Sequence, residues 1–434
     1  IYVDNLTDFL RIFATENEAL YDSLQELRTF RIDQLGQSPV DGPYSLFVLA
    51  ETKLHWAIMD ARFGHYIRAS KEALQAYHLL EENAERYPEF ILNQKSLAVF
   101  HGLVGIIPSG YRWGFKLLSG MEGTVQQGLR EIEQVVEWTA EGGNMFYREC
   151  IIMQVYMLMH LADQPDRAQQ KILASGLDPV NGPLDCFVFS NVALKTRNAN
   201  DALRYLRDYE SQRNGFDLPF FYFMRGLASL QVLDIENARR DLRAFLSNTR
   251  SKHYVKEAHQ KLGWAALLEG DSSGYLNEMT ILKSRGAERE GGDQHAQAEA
   301  ERGWIPNVPL LRVRLLFDGG QCQRAWELLE GYALEDFDAS AQLEYLYRMG
   351  RVSHCLGHLL LAPVYYIQVI QLGAGEDHYF ACHSALQAGR IYEDLGQYEE
   401  SESYYRRCLD LQPEEYARYL HAQAKVGLER LAQK

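Results

Sequence analysis

The chain has 434 residues, 47% of them hydrophobic and 24% charged, with a formal net charge of −15. It is too apolar for a disordered polymer. Its acidic balance and lack of any polybasic run argue against nucleic acid as a partner. No apolar stretch approaches the roughly 20 residues that a membrane-spanning helix needs.

Helical periodicity dominates, and no alternating run of β-branched residues is bounded by turn residues. Asn5 to Leu35 reads as two helices, and the stretch from Pro39 to Pro43 is a break. Tyr44 to Phe63 and His65 to Tyr87 form a predicted helical hairpin, with Leu46, Leu49, Ala50, Leu54 and Ala57 at helical spacing. Pro88 is expected to start the next helix. His101 to Leu129 is rich in glycine, holds one proline and interrupts the pattern. Gly142-Gly143 separates it from a further helix over Asn144 to Leu161.

From Ser190 onward the pattern repeats. A small residue that could sit at a helix crossing is followed, twelve positions on, by a second small residue. The pairs are Ser190 and Ala202, Gly226 and Ala238, Val313 and Ala325, Gly350 and Ala362, and Gly389 and Ser401. Gly263 opens a weaker unit whose second helix, near Tyr275 to Leu282, lacks the small residue. Gly270-Asp271, Gly319-Gly320, Gly357 and Gly396 close first helices. The longest interval, between Gly263 and Val313, contains the polar stretch Arg285 to Gly303, read as an inserted, solvated surface helix jointed at Gly291-Gly292.

The most regular unit runs from Cys382 to Pro413. Gly389 and Tyr392 share its first helix, Gly396 and Tyr398 mark the turn, and Ser401, Tyr405 and Cys408 lie on one face of the second. This stretch resembles one tetratricopeptide repeat, a helix–turn–helix of roughly 34 residues. The resemblance implies an all-α, right-handed α-α superhelix, a TPR-like solenoid. Residues 1–143 form divergent hairpins with the glycine/proline insert, continuous with a repeat array over 144–434.

Three other segments resemble a group of uncharacterised exported bacterial repeat proteins. They are Leu46 to Tyr87 with its AETKLHWA run, His101 to Leu129, and Pro309 to Gly320. The insert positions Gly105, Pro108, Trp113, Gly114, Leu117, Leu118, Gly123, Gly128 and Leu129 are also similar to a segment of the TTC39/Iml2 repeat family. The bacterial resemblance implies the periplasm or cell envelope, with a signal peptide removed ahead of Ile1. The cysteines point to the cytoplasm instead: Cys150, Cys186, Cys322, Cys355, Cys382 and Cys408 form no close pair in sequence and read as buried free thiols.

No motif carries catalysis. GxSxG and GK[ST] are absent, and neither a catalytic residue, a metal ligand nor a cofactor is expected. His354 and His358 have i, i+4 spacing, but His358 falls past the turn at Gly357. Asp271 opens a stretch without the later ligands of a calcium loop. The expected function is a non-catalytic scaffold that binds a protein or peptide in a concave groove. Arg314, Arg351 and Arg390 each follow a crossing residue and form a column on that surface, with Arg348, Tyr347 and His383 beside them. Arginine forks suit an acidic tail. Glu344, Glu393 and Asp394 on the same helices could instead neutralise the column. Phe220 and Phe223 are a second anchor for a peptide, or part of the core between repeats. The alternative is a small-ligand binder or enzyme with a pocket at the insert, 101–129.

Overall fold

The computed structural model describes residues 1–39, 42–107, 116, 119–141, 143–212, 218–432 and 434. Among them are 23 α-helices, one short 3₁₀ turn and no strand. The N-terminal helices are α1 (Tyr2–Thr15), α2 (Glu18–Ser23), α3 (Gln25–Gln37), α4 (Pro43–Arg62), α5 (Tyr66–Arg86), α6 (Asn93–Gly105) and α7 (Val125–Glu141). Then come α8 (Tyr147–His160), α9 (Pro165–Leu173), α10 (Pro183–Lys195), α11 (Ala199–Gln212), α12 (Pro219–Gln231), α13 (Ile235–Asn248), α14 (Val255–Leu268) and α15 (Ser272–Ser284). The last eight are α16 (Gly291–Arg302), α17 (Val308–Asp318), α18 (Cys322–Glu330), α19 (Ala339–Cys355), α20 (Ala362–Leu372), α21 (Phe380–Asp394), α22 (Tyr398–Asp410) and α23 (Ala417–Leu431).

Local chemistry sets these boundaries. Asn17, Asp234, Asp271, Asn307 and Asp338 each accept a backbone N–H at a helix start and so satisfy a donor with no partner inside the helix. Pro43, Pro165, Pro183 and Pro219 open helices, where proline's missing N–H is no loss. The cap at Asn17 splits the expected two N-terminal helices into three. Pro88 lies in a turn, and the next helix starts only at Asn93.

Consecutive helices pack as hairpins, and hairpin stacks on hairpin: α12 with α13, α14 with α15, α19 with α20, α21 with α22. The crossing positions work as the spacing predicts. A Cβ at Gly389 would come within 2.7 Å of the Tyr405 ring, and Ser401 Oγ donates to Gly389 O at 2.8 Å. Gly350 stands in the same relation to Tyr366. The first apolar cluster has members from Phe47 to Ala228, on both sides of residue 143, and further clusters continue the core to Ala424. This is an α solenoid of stacked hairpins.

Two expectations need correction. The stretch Arg285 to Gly303 holds the expected inserted surface helix, but one face of it is buried and not solvated. Its helix α16 packs on α14 with Asp293, Ala296 and Ala300 buried. Asp293 accepts from the N–H groups of Tyr254 and Glu257 and so caps the start of α14. Burial still pushes its carboxyl up to about 6. The second correction concerns the cysteines. Cys322 and Cys355 form a disulfide, while Cys150, Cys186, Cys382 and Cys408 are buried free thiols. The bonded pair is distant in sequence, so spacing gave no sign of it.

Successive coils of the solenoid also touch. Lys252 and Ser251, between α13 and α14, bind Glu18 and Glu16 of the N-terminal helices at 2.8 Å. The turn at Gly320 abuts the Arg197 backbone, and Arg302 pairs with Glu415 at 2.6 Å. Residues far apart in sequence therefore share one interior surface.

Candidate interaction surface

The predicted arginine column exists, but its members have different partners. Arg348 is buried and pairs with Glu344 at 2.7 Å. Arg390 donates to Asp163 Oδ2 at 2.8 Å and to Gln423. Arg314 lies over the Trp264 ring, as does Lys261, and its nearest carboxylate, Asp318, is 3.9 Å away. Neither Glu393 nor Asp394 neutralises the column. Glu393 instead binds Arg430 and Lys434.

Arg351 differs from its neighbours. It donates to Tyr347 Oη at 2.9 Å and lies 3.3 Å from His383 Nε2. Tyr347 Oη and His383 Nδ1 are 3.1 Å apart, and Gln387 Nε2 reaches the other ring nitrogen at 3.3 Å. The Arg351 guanidinium lies 4.5 Å from the centre of the Phe317 ring, and Arg197, from the α10–α11 turn, lies 4.7 Å from the same centre. Among the described residues no carboxylate forms an ion pair with Arg351 or Arg197.

Asp318 and Asp166 act on Arg197 through space, but they do not outweigh burial and Arg351. Burial, then Arg351, lowers the Arg197 guanidinium pKa. Burial, with Arg351, Arg197 and Arg390 adding to it, holds His354 at about 4. Burial and the arginines Arg351, Arg390 and Arg348 push His383 well below its ordinary value. Both imidazoles are therefore neutral near pH 7, and the two guanidiniums repel each other across one aromatic ring.

The remaining predicted residues fall elsewhere. Tyr347 is the exception: almost fully buried, it meets this cluster with its hydroxyl and with its ring, which stands edge-on to His383. Phe223 is core, packed with Phe245 and Leu262, because its side of α12 faces the neighbouring hairpins. Phe220 is half-buried and lines a separate cavity. His358 lies outside α19, past Gly357 with φ 76°, against Trp326. Asp271 caps α15. Of the insert 101–129, where the alternative reading put a pocket, Pro108, Trp113, Gly114, Leu117 and Leu118 lie outside the described residues. Arg197 was missed because it sits in a turn of an earlier hairpin, and only the contact between coils brings it to Arg351.

A second cluster has the donors of a metal site. One ligand atom each from Glu51, His55 and Glu149 lies within 4.8 Å of the others. The Lys95 ammonium already sits among them, 2.5 Å from Glu51 and 2.6 Å from Glu149, with no exposed surface. Burial would lower the Lys95 pKa, but the two carboxylates raise it well above its ordinary value. Burial holds His55 at about 4, and its Nδ1 lies 3.1 Å from Asn5 Nδ2. The Ala50–Ala57 run thus ties α4 to α1 and α8 by buried polar contacts, with an ammonium where a metal would stand.

Residues 383–415 match the family model of the tetratricopeptide repeat. No curated protein matches the chain. Among solved structures it is similar to a "Circular tandem repeat protein with novel repeat topology and enhanced subunit contact surfaces", at 13% identity over 100% of this chain and 96% of that one. The TM-score is 0.19. The matched residues fall on α21 and α22, where Gly389, Ser401 and Tyr405 form their crossing. A tetratricopeptide repeat within an α solenoid suggests a protein-interaction scaffold. No helix among the described residues is long and apolar enough to cross a membrane.

Proposed function

We propose that this chain is a non-catalytic scaffold of the bacterial cell envelope that binds an acidic protein segment at Arg351, Arg197 and His383. The supporting observation is the stacking of Arg351 and Arg197 on Phe317 without a carboxylate between them. A carboxylate arriving from a partner relieves their repulsion and gains forked hydrogen bonds. Tyr347 and Gln387 hold the His383 ring beside Arg351, so the site is organised before the partner arrives. The disulfide Cys322–Cys355 supports an oxidising compartment such as the periplasm.

Fluorescence anisotropy with a labelled oligoglutamate peptide tests the reading. Arg351→Glu should weaken binding by at least about tenfold, or 1.4 kcal/mol, while far-UV circular dichroism stays unchanged. Equal binding by the folded variant would remove the assignment.

A further inference from the structure

A cavity of about 640 Å³ lies beneath α1, within the range of about 300–1,000 Å³ typical of small-molecule sites. Leu10, Phe13 and Ala14 of α1 form one wall. Leu184 and Phe187 of α10, with Phe220 of α12, are among the apolar side chains facing them.

Among the polar groups of the cavity, Arg62 binds both Glu16 and Glu290, and Ser251 donates to Glu16, so charge is balanced. His253 belongs with them and is 3% exposed, yet its Nδ1 has no hydrogen-bond partner. Arg11, His160, Lys195 and Asn191 also line the cavity. Neither Arg11 nor Lys195 pairs with a carboxylate among the described residues, and the buried Asn191 Oδ1 has no partner. Burial and then Lys195 lower the His160 pKa, which places that ring in the field of the ammonium. An apolar chamber whose lining includes the exposed cations Arg11 and Lys195 matches a molecule with a hydrocarbon body and one anionic group.

We propose that this cavity binds a single-chain anionic amphiphile of the fatty-acid type, its tail against Phe13, Phe187 and Phe220 and its carboxylate at Lys195, Arg11 and His160. The proposal is independent of the acidic-segment site, which lies on other residues.

Titration calorimetry of the whole chain with sodium dodecanoate below its micelle concentration tests it, with dodecyltrimethylammonium as the control of equal tail. Dodecanoate should bind one to one, and the cationic surfactant at least about tenfold more weakly. Lys195→Glu, at an exposed position, should weaken dodecanoate by about tenfold. Leu184→Trp, which narrows the chamber, should weaken dodecanoate binding, and Arg351→Glu should leave it unchanged. The proposal fails if dodecanoate gives no heat, if both surfactants bind equally, or if the folded Lys195→Glu and Leu184→Trp proteins both bind as the parent does.

Discussion

Arg390 donates to Asp163 at 2.8 Å although 227 positions separate them. The contact joins α21, near the end of the array, to the loop between α8 and α9. Both side chains are one-third exposed, so the pair itself contributes at most about 1 kcal/mol. Its larger effect is on charge. Asp163→Asn releases Arg390 without removing bulk and adds a third uncompensated guanidinium near Arg351. The variant should melt within a few degrees of the parent and bind oligoglutamate more tightly, the reverse of Arg351→Glu. Weaker peptide binding by Asp163→Asn would contradict the charge argument.

The disulfide joins the start of α18 to the end of α19, and so the second helix of one hairpin to the first helix of the next. A closed loop with a sequence separation of 33 should stabilise the fold by about 2–4 kcal/mol. Cys355→Ser should lower the urea midpoint accordingly, and reductant should then have no further effect on stability. Thiol titration of the denatured parent should find four reactive cysteines, and six after reduction.

The hairpin spacing was legible because it is a steric matter. The glycines at the crossings of Gly226, Gly350 and Gly389 leave room for the leucine or aromatic ring opposite, and their spacing in the sequence records that directly. The turns at Gly357 and Gly396 were legible for the same reason, since their φ of 76° and 74° favours glycine. Contacts between coils were not legible. Arg197 meets Phe317 and Asp163 meets Arg390 because of the rise and curvature of the whole array, which no local period encodes. The cavity beneath α1 depends on the same long-range geometry.

Lys95, itself fully buried, holds Glu51 and Glu149 together. Replacing it with methionine leaves two carboxylates facing each other, at a cost of about 3–5 kcal/mol. Burial already pushes the Glu51 carboxyl up, so that group should take a proton first. The deficit of Lys95→Met in urea unfolding should therefore shrink as pH falls from neutral toward 5. A deficit independent of pH would mean that lost packing, not unpaired charge, dominates.

Glu393 anchors the final helix. Burial raises its pKa, but hydrogen bonds from Arg430, Tyr405 and Lys434 outweigh that and hold the carboxyl at about 2, against an ordinary value of 4.5. A carboxyl lowered in the folded state stabilises the fold above its unfolded pKa, and that stability is lost as pH falls from 4.5 toward 2. Arg430 and Lys434 are 47% and 41% exposed, so solvent screening cuts the contribution to about 1–2 kcal/mol near neutral pH. Glu393→Gln should be less stable than the parent by that amount at pH 7, and the two unfolding curves should converge by about pH 2. Hydrogen exchange should find the loss concentrated in α23, which packs on both α21 and α22. A gap that persists at low pH would assign the effect to lost hydrogen-bond geometry and not to charge.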